Sequence, residues 1–223
     1  MSIASATGLY PSYKSLDSFI DVDRLKGLDA YLTERIARRV QAERDLAFYT
    51  GPFLLNGDAP TLPGSRMIAL SRSERAEAYY DLDRSELWRP TEEAAEFVEL
   101  MAFIATLPFA ATARMMNMYD PNGRAVSAHK DHDRADVCHE FIWFRTSLGK
   151  PFYMLDPTSG ERLYVSSHSA WFDTVNQYHG ADATGELSFS IRVDGIFTDE
   201  FRSRIPFPAG NRASAPSLWA AQP

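Results

Sequence analysis

Three side chains of the types that bind metal ions occur at a characteristic spacing in the second half of this chain. His129 and Asp131 flank Lys130, and His179 follows far enough downstream for several strands to return the chain to the same place. In extended backbone, side chains at i and i+2 leave the same face, so His129 and Asp131 can reach one ion. Two imidazoles and one carboxylate suit non-haem Fe(II) and leave coordination positions open, whereas a structural zinc site is closed. We therefore predict a metal site made of His129, Asp131 and His179.

Other histidines compete for the two imidazole positions. His132 is followed directly by Asp133, and adjacent residues of a strand point to opposite faces, which disfavours that pair. His168 precedes the predicted strand at residues 170–172, whereas His179 follows it and is better placed relative to the next strand. The run from Lys130 to Arg134 is also polar enough to be a solvated loop, and His179 could be a turn residue.

A cation follows His179 on the next predicted strand. The guanidinium of Arg192 can bind a carboxylate through two parallel hydrogen bonds, as an anchor for an ion-bound co-substrate requires. The alternative is that Arg192 pairs with Asp194 or Asp173 on the face of a sheet.

Composition bounds the class of protein. A chain of 223 residues with 45% hydrophobic and 13% aromatic residues can bury the core of one fairly large domain. The net charge of −7 argues against a general binder of nucleic acids or acidic membranes. The single cysteine, Cys138, excludes an intramolecular disulfide and fits the cytoplasm. Residues 1–13 lack the features of a signal peptide, and no apolar run is long enough to span a bilayer. Oligomeric state is left open.

The N-terminal half predicts two helices. From Asp21 to about Asp45, apolar residues recur at three- and four-residue steps, which is typical of an amphipathic helix. A second helix is expected to begin near Thr91, a residue type suited to an N-cap, and to end before Pro108. Glycines and prolines in residues 49–66 predict loops and a short strand.

After Pro108 the pattern changes to short apolar segments separated by turn residues such as Asp120-Pro121-Asn122-Gly123. Strands are expected at residues 112–119, 124–128, 141–146, 152–155, 163–165, 170–172 and 187–196. This pattern favours an antiparallel barrel or jelly roll, with the preceding helices buttressing one face. We expect one α+β domain over residues 1–205, its barrel at about 108–197, and an irregular tail at 206–223.

The stretch from about Met115 to Phe197 resembles the Fe(II)/2-oxoglutarate-dependent dioxygenases, most of all their aspartyl/asparaginyl β-hydroxylase and proline cis-hydroxylase branch. The matching features are His129-Lys130-Asp131, Phe141-Ile142-Trp143-Phe144, Ser169-Ala170-Trp171-Phe172-Asp173 ahead of His179, and Ser188-Phe189-Ser190-Ile191-Arg192-Val193-Asp194. Where that branch has Gly-Glu, this chain has Ser167-His168-Ser169.

The resemblance implies a double-stranded β-helix (cupin-like jelly roll), Fe(II), 2-oxoglutarate as co-substrate, and O₂. It makes His129, Asp131 and His179 the iron ligands and catalytic residues. Arg192 becomes the cation that binds the far carboxylate of 2-oxoglutarate, and Ser190, on the same face, can add a hydroxyl. The presence of Asp131 favours hydroxylation or desaturation, with release of succinate and CO₂. The expected substrate is a small polar metabolite such as a free amino acid.

Several further residues are candidates for the substrate pocket. Arg145 lies in an otherwise apolar strand and is the preferred partner for a substrate carboxylate. Trp143 and Tyr119 can wall the pocket, although aromatic residues at strand spacing are more often core. The remaining candidates are Arg124, Lys130, Arg134, Trp171 and His139.

Two other classes of function compete with the oxygenase. One is a non-catalytic cupin-like module that holds a metal or a small anion, which would have no need of Arg192 as an anchor. The other is a metal-dependent isomerase, or a dioxygenase that does not use 2-oxoglutarate. Such sites more often carry an extra His or Glu ligand, and the sequence offers none at a convincing spacing.

Overall fold

The computed structural model describes residues 12–45, 53–54 (backbone only), 65–75, 82–131 and 139–205. The predicted tail at 206–223 lies outside these ranges, as do residues 132–138 and most of the predicted loop segment at 49–66. Within the described ranges the chain is mostly β-sheet with few helices. None of the described helices is long and apolar enough to cross a membrane.

The first predicted helix is two helices, α1 (Val22–Gly27) and α2 (Asp29–Gln41). The break falls at Leu28, whose backbone N–H donates to the carbonyls at the end of α1 and which also begins α2. The prediction of one continuous helix to Asp45 was therefore wrong, although its apolar stripe is confirmed. Leu25, Leu32 and Ile36 are fully buried.

The second predicted helix is also broken, into α3 (Glu92–Glu96) and α4 (Val98–Ile104). The backbone leaves helical geometry at Phe97, whose side chain is fully buried. Thr91 occupies the N-cap position but makes no side-chain cap, because its hydroxyl donates to the carbonyl of Ala69 at 2.6 Å. A short helix that the sequence did not predict, α5 (Asp199–Arg202), follows the last strand.

Thirteen strands lie in the described part of the chain. In chain order they are β1 (Lys14–Ser15), β2 (Phe53–Leu54), β3 (Arg66–Ala69), β4 (Ser71–Ser73), β5 (Trp88–Pro90), β6 (Phe109–Asp120), β7 (Val126–Lys130), β8 (Phe141–Phe144), β9 (Phe152–Leu155), β10 (Arg162–Tyr164), β11 (Ser169–Trp171), β12 (Tyr178–Ala181) and β13 (Ser188–Phe197). All seven strands predicted after Pro108 are present, with ends shifted by up to three residues. β3, β4, β5 and β12 were not predicted.

The strands form two main antiparallel sheets. One has the order β1-β11-β8-β13-β6-β3 and the other the order β10-β9-β12-β7-β2, while β4 and β5 pair by themselves. From β6 onward, successive strands change sheet at nearly every connection. In the second sheet β7, which carries His129, lies next to β12, which carries His179.

The helices pack on the larger sheet. Phe103 of α4 meets Phe144 of β8 edge to face, with ring centroids 5.4 Å apart. The same cluster of buried side chains includes residues of α1, α2, β6, β8 and β13. Burying an apolar side chain of this size contributes roughly 1.5–3 kcal/mol. The helices thus support the sheet that carries Arg192.

Candidate active site

The predicted metal ligands lie together because of strand register. β7 and β12 pair antiparallel with His129 directly opposite His179, and Asp131 follows the end of β7. Oδ1 of Asp131 lies 3.3 Å from Nε2 of His179 and 3.8 Å from Nε2 of His129. One ligand atom from each residue lies within 4.8 Å of the others. The three residues form a group that could hold a metal ion.

Hydrogen bonds orient both imidazoles in the same way. Nδ1 of His129 contacts the carbonyl of Ser127 at 2.8 Å, and Nδ1 of His179 contacts the carbonyl of Gln177 at 3.3 Å. A carbonyl can only accept, so Nδ1 carries the proton and the Nε2 lone pair is free for a metal. Two neutral imidazole nitrogens and one carboxylate oxygen are donors that Fe(II) accepts.

The charge states also suit metal binding. Burial, followed by the neighbouring His179, lowers the pKa of His129 to about 4, so its imidazole is neutral at neutral pH. Burial would raise the pKa of Asp131, but the charge of Arg192 and the contact with His179 hold that pKa well below its ordinary value. Asp131 is therefore an anion over the whole physiological range.

The competing histidines do not join this group in the described residues. Nδ1 of His168 contacts the carbonyl of Arg145 at 3.1 Å, away from the ligand cluster. His132 lies outside the described residues. His139 is buried and lines the same cavity as the three candidate ligands, where Nη2 of Arg192 lies 3.4 Å from its Nδ1.

Arg192 lies next to the ligand cluster, between two carboxylates. Its Nη1 donates to Oδ2 of Asp131 at 2.5 Å, and its Nε donates to Oδ1 of Asp194 at 2.9 Å. The Phe141 ring covers its Cζ at 4.1 Å. The pairing with Asp194 that the sequence left as an alternative is thus present, together with a contact to a candidate metal ligand. Ser190 is half-buried on the same strand.

A cavity of about 480 Å³ opens from the ligand cluster between the two sheets. Its lining includes Ser190 and Arg192, predicted as co-substrate contacts, and Trp143 and Tyr119, predicted as substrate-pocket residues. Trp143 stacks on Phe152 with ring centroids 4.6 Å apart. The hydroxyl of Tyr119 donates to Asp45 at 2.9 Å.

Aromatic rings pack around the imidazole of His179. Phe172 and Phe152 lie 5.1 and 5.9 Å from the His179 ring, centroid to centroid, and both line the cavity. Neither phenylalanine was predicted to belong to the site, because a sequence does not show which strands are neighbours in a sheet. An apolar wall of this kind limits the access of water to a metal.

Arg145 lines the cavity, but its guanidinium is hydrogen-bonded to main-chain carbonyls. Its guanidinium donates to the carbonyls of Lys150, Val165 and Ser167, and only 3% of the residue is exposed. These contacts argue against Arg145 as a partner for a substrate carboxylate.

The remaining substrate candidates fall elsewhere. Trp171 is core: it is 1% exposed, and its indole N–H donates to the carbonyl of His139 at 3.1 Å. Arg124 is exposed, and Lys130 lies over the Tyr178 ring at 5.4 Å. Neither is among the described residues that line the cavity. Arg134 lies outside the described residues.

A third arginine that lines the cavity, Arg114, was not predicted. Arg114 on β6 lines the cavity, and its Nε donates to Oδ2 of Asp194 at 3.0 Å. Arg114, Met116 and Met118 are spaced two residues apart and so share one face of a strand. This spacing is a signal from which Arg114 could have been predicted to face the cavity.

The similarity of this chain to known proteins is seen among solved structures. No protein-family model matches the chain, and no curated protein matches it. Among solved structures, a prolyl-4-hydroxylase from Pseudomonas putida is 13% identical over 87% of this chain and 95% of its own, with a TM-score of 0.46.

Two further structures show likeness of the same degree. A prolyl hydroxylase from Trichoplax adhaerens, in complex with a hypoxia inducible factor peptide, is 11% identical over 86% of both chains, with a TM-score of 0.44. The non-heme alpha ketoglutarate dependent epimerase of nogalamycin biosynthesis is 12% identical over 86% of this chain and 78% of its own, with a TM-score of 0.42. With TM-scores below 0.5, these likenesses carry no argument about function, which is therefore argued from side chains.

Proposed function

We propose that this chain is an Fe(II)- and 2-oxoglutarate-dependent oxygenase that hydroxylates a small polar metabolite. The observation that carries the proposal is the His129, Asp131 and His179 group, which opens into a cavity beside Arg192. The order of strands β6 to β13 supports the proposal that they form a double-stranded β-helix. Residues 1–205 are proposed as its single domain.

In this proposal Nε2 of His129, Nε2 of His179 and Oδ1 of Asp131 would hold the iron. When bound, Fe(II) supplies the redox chemistry that couples oxidation of 2-oxoglutarate by O₂ to oxidation of a substrate C–H bond. The chain's own contribution is to orient the ligands and to keep water from the site. Phe152 and Phe172 would keep water from the site, because they pack against the His179 ring.

Arg192 is proposed to bind the far carboxylate of the co-substrate, with Ser190 beside it. The charges of the ligand cluster and of the arginine row in contact with it would suit a dianionic ligand. Fe(II) with the Asp131 carboxylate leaves one positive charge, and Arg114 and Arg192 with Asp194 leave another. A 2-oxoglutarate dianion would neutralise both, which reduces the cost of burying it. For a bidentate contact, Nη1 and Nη2 of Arg192 would each have to donate to the ligand as well as to Asp131 and Asp194, respectively.

The prime substrate is proposed to be a free amino acid or a similarly small molecule. Trp143 and Tyr119 would wall its space, since both line the cavity. Arg145 is proposed to be a structural residue, because its guanidinium donates to main-chain carbonyls. The protein is proposed to act in the cytoplasm, without nucleic acid or membrane as a partner, in keeping with its net charge and single cysteine.

The test is an anaerobic titration with Fe(II) and 2-oxoglutarate, in which the visible charge-transfer band of the chelate is followed. Wild type should show the band. The variant Arg192→Ala, assayed at saturating Fe(II), should bind 2-oxoglutarate tens to thousands of times more weakly, because truncating one partner of a buried charge pair costs about 2–5 kcal/mol.

Each rival class predicts a different titration. A metal site that binds Fe(II) but gives no band with 2-oxoglutarate would favour the non-catalytic module or the enzyme that does not use this co-substrate. Failure to bind Fe(II) would exclude the proposal altogether. An unchanged affinity in Arg192→Ala would leave the oxygenase but remove Arg192 as the anchor.

A further inference from the structure

Four charged side chains form a connected row that ends at the candidate metal site. Nε of Arg114 on β6 donates to Oδ2 of Asp194 at 3.0 Å. The other oxygen of Asp194 accepts from Nε of Arg192 at 2.9 Å, and Nη2 of Arg192 lies 2.9 Å from the same oxygen. Nη1 of Arg192 then donates to Oδ2 of Asp131. The row thus links strand β6 to a candidate metal ligand through β13.

The middle of this row has little freedom. Asp194 is fully buried, and the side chains of Arg114 and Arg192 are less than 10% exposed. Asp194 takes one edge of the Arg192 guanidinium, and the ring of Phe141 covers its face. Buried charges of this kind keep their geometry, because separating them leaves a charge without compensation. The remaining nitrogen of Arg192, Nη1, is consequently directed at Asp131.

The two carboxylate oxygens of Asp131 have different neighbours. Arg192 takes Oδ2, while Oδ1 faces the two Nε2 atoms at 3.3 and 3.8 Å. Asp131 comes after the last residue of β7, and its backbone N–H donates to the carbonyl of Thr174. The backbone of Asp131 is thus held just past the strand, and the hydrogen bond from Arg192 is the contact that holds Oδ2.

We propose that Asp194 is a positioning residue that acts through Arg192 to aim Oδ1 of Asp131 at the metal. This inference rests on the metal site of the proposed function. It gives Arg192 a second role, which is exerted before any co-substrate binds. Hydrogen-bond partners of metal ligands typically change metal affinity by 10- to 100-fold when they are removed.

The experiment measures the affinity of the full chain for Mn(II) alone, without 2-oxoglutarate. Arg192→Lys keeps the charge but has no planar fork, so it cannot bridge Asp194 and Asp131. Asp194→Asn keeps the shape of the carboxylate but not its charge. Both variants should bind Mn(II) about tenfold or more weakly than wild type. Asp182→Asn is the matched control, since Asp182 is paired with Arg162 away from the site and should bind as wild type does.

A fourth variant, His129→Ala, separates the two proposals. If wild type binds Mn(II) no better than His129→Ala does, the metal site itself is wrong and both proposals fall. If wild type binds and Arg192→Lys binds equally well, the metal site stands and the positioning role is overturned. A lower melting temperature of Arg192→Lys with unchanged Mn(II) affinity would assign the row to stability alone, which also overturns the role. If Asp194→Asn does not fold, the Mn(II) affinity of Arg192→Lys alone tests the positioning role.

Discussion

At the scale of single residues, the two candidate imidazole ligands share one local arrangement. Each lies on a short strand, and each Nδ1 contacts the carbonyl two residues earlier in the chain, at Ser127 for His129 and at Gln177 for His179. Both Nε2 atoms then face the Asp131 carboxylate. Because the main chain supplies the orienting carbonyls, this arrangement does not depend on the presence of the metal.

We predict that His129→Ala, Asp131→Ala and His179→Ala each abolish binding of Fe(II) while the protein stays folded. Each removes one of three donors, and two donors do not hold a labile divalent ion against water. Iron content after desalting and circular dichroism would check this. His168→Ala is the matched control, because His168 lies away from the group and should keep full iron content. Retention of iron in any of the first three variants would contradict the ligand assignment.

Arg145 is predicted to matter for stability and not for binding. Arg145→Met would leave the carbonyls of Lys150, Val165 and Ser167 without their donor. Each buried polar group left unsatisfied costs about 1–3 kcal/mol, so the free energy of unfolding should fall by about 3 kcal/mol or more. Denaturant titration would measure that fall, and the affinity for 2-oxoglutarate should stay unchanged. A stable variant with weakened binding of a carboxylate ligand would return Arg145 to the substrate site.

At the scale of elements, the approach of β12 to its two neighbours determines the site. β12 lies between β7 and β9, and Gly180 directly follows His179. A Cβ at Gly180 would lie 2.7 Å from the carbonyl oxygen of Val126 and 2.7 Å from the hydroxyl of Tyr153. These strands can be this close because residue 180 has no side chain.

Gly180→Ala is therefore predicted to move β12 away from β7 and to weaken Fe(II) binding. The carbonyl of Val126 cannot yield without disturbing the ladder that sets His179 opposite His129. Iron affinity and melting temperature should both fall. Gly27→Ala is the control, since a Cβ there meets nothing within 4 Å, and it should leave both values unchanged or raise the melting temperature slightly. Wild-type iron affinity in Gly180→Ala would show that the close approach is unimportant.

Much of the element order could be predicted because apolar periodicity is local. β9 was predicted with both ends correct, and β13 within one residue at each end. β12 was missed because Tyr178-His179-Gly180-Ala181 has no apolar alternation, and its pairing with β7 and β9 depends on distant residues. The helix breaks at Leu28 and Phe97 were missed for a similar reason. The apolar pattern continues through each break, and tertiary packing decides the backbone there.

Some residues of the candidate site could likewise be predicted from the sequence, and others could not. The His129, Asp131 and His179 set could be proposed from residue types and spacing, and the Asp194 partner of Arg192 from its position on the same face. The role of Arg145 could not, because its partners are backbone carbonyls of other segments, which leave no mark in a sequence. Arg114 meets Asp194 only through the pairing of β6 with β13.

At the scale of the whole molecule, burying a histidine makes stability depend on pH. The pKa of His129 is about 4 in the folded, metal-free protein and close to 6.5 in the unfolded chain. Between these values the unfolded chain binds a proton that the folded protein does not. The free energy of unfolding therefore falls as the pH falls from about 6.5 to about 4. Asp131, whose pKa is lowered, adds a further loss only below its ordinary pKa of 3.8.

We predict that His129→Gln removes this dependence. The difference in unfolding free energy between wild type and variant should be constant above pH 7. By pH 4.5 it should shift by about 2.5 kcal/mol in favour of the variant, at 1.36 kcal/mol per pKa unit. Denaturant titrations in the presence of a chelator, at several pH values, measure it. Parallel curves for the two proteins across this range would mean that the imidazole of His129 is not buried as a neutral group.

The central claim is that iron, 2-oxoglutarate and O₂ react together at the His129, Asp131 and His179 group. The most direct test follows succinate in purified protein without any prime substrate, with Fe(II), 2-oxoglutarate and O₂ omitted one at a time and with Asp131→Ala alongside. We predict slow formation of succinate in the complete mixture alone, and none above background in the omissions or in the variant. Succinate that forms undiminished without O₂ or in Asp131→Ala, or no succinate in the complete mixture, would contradict the claim.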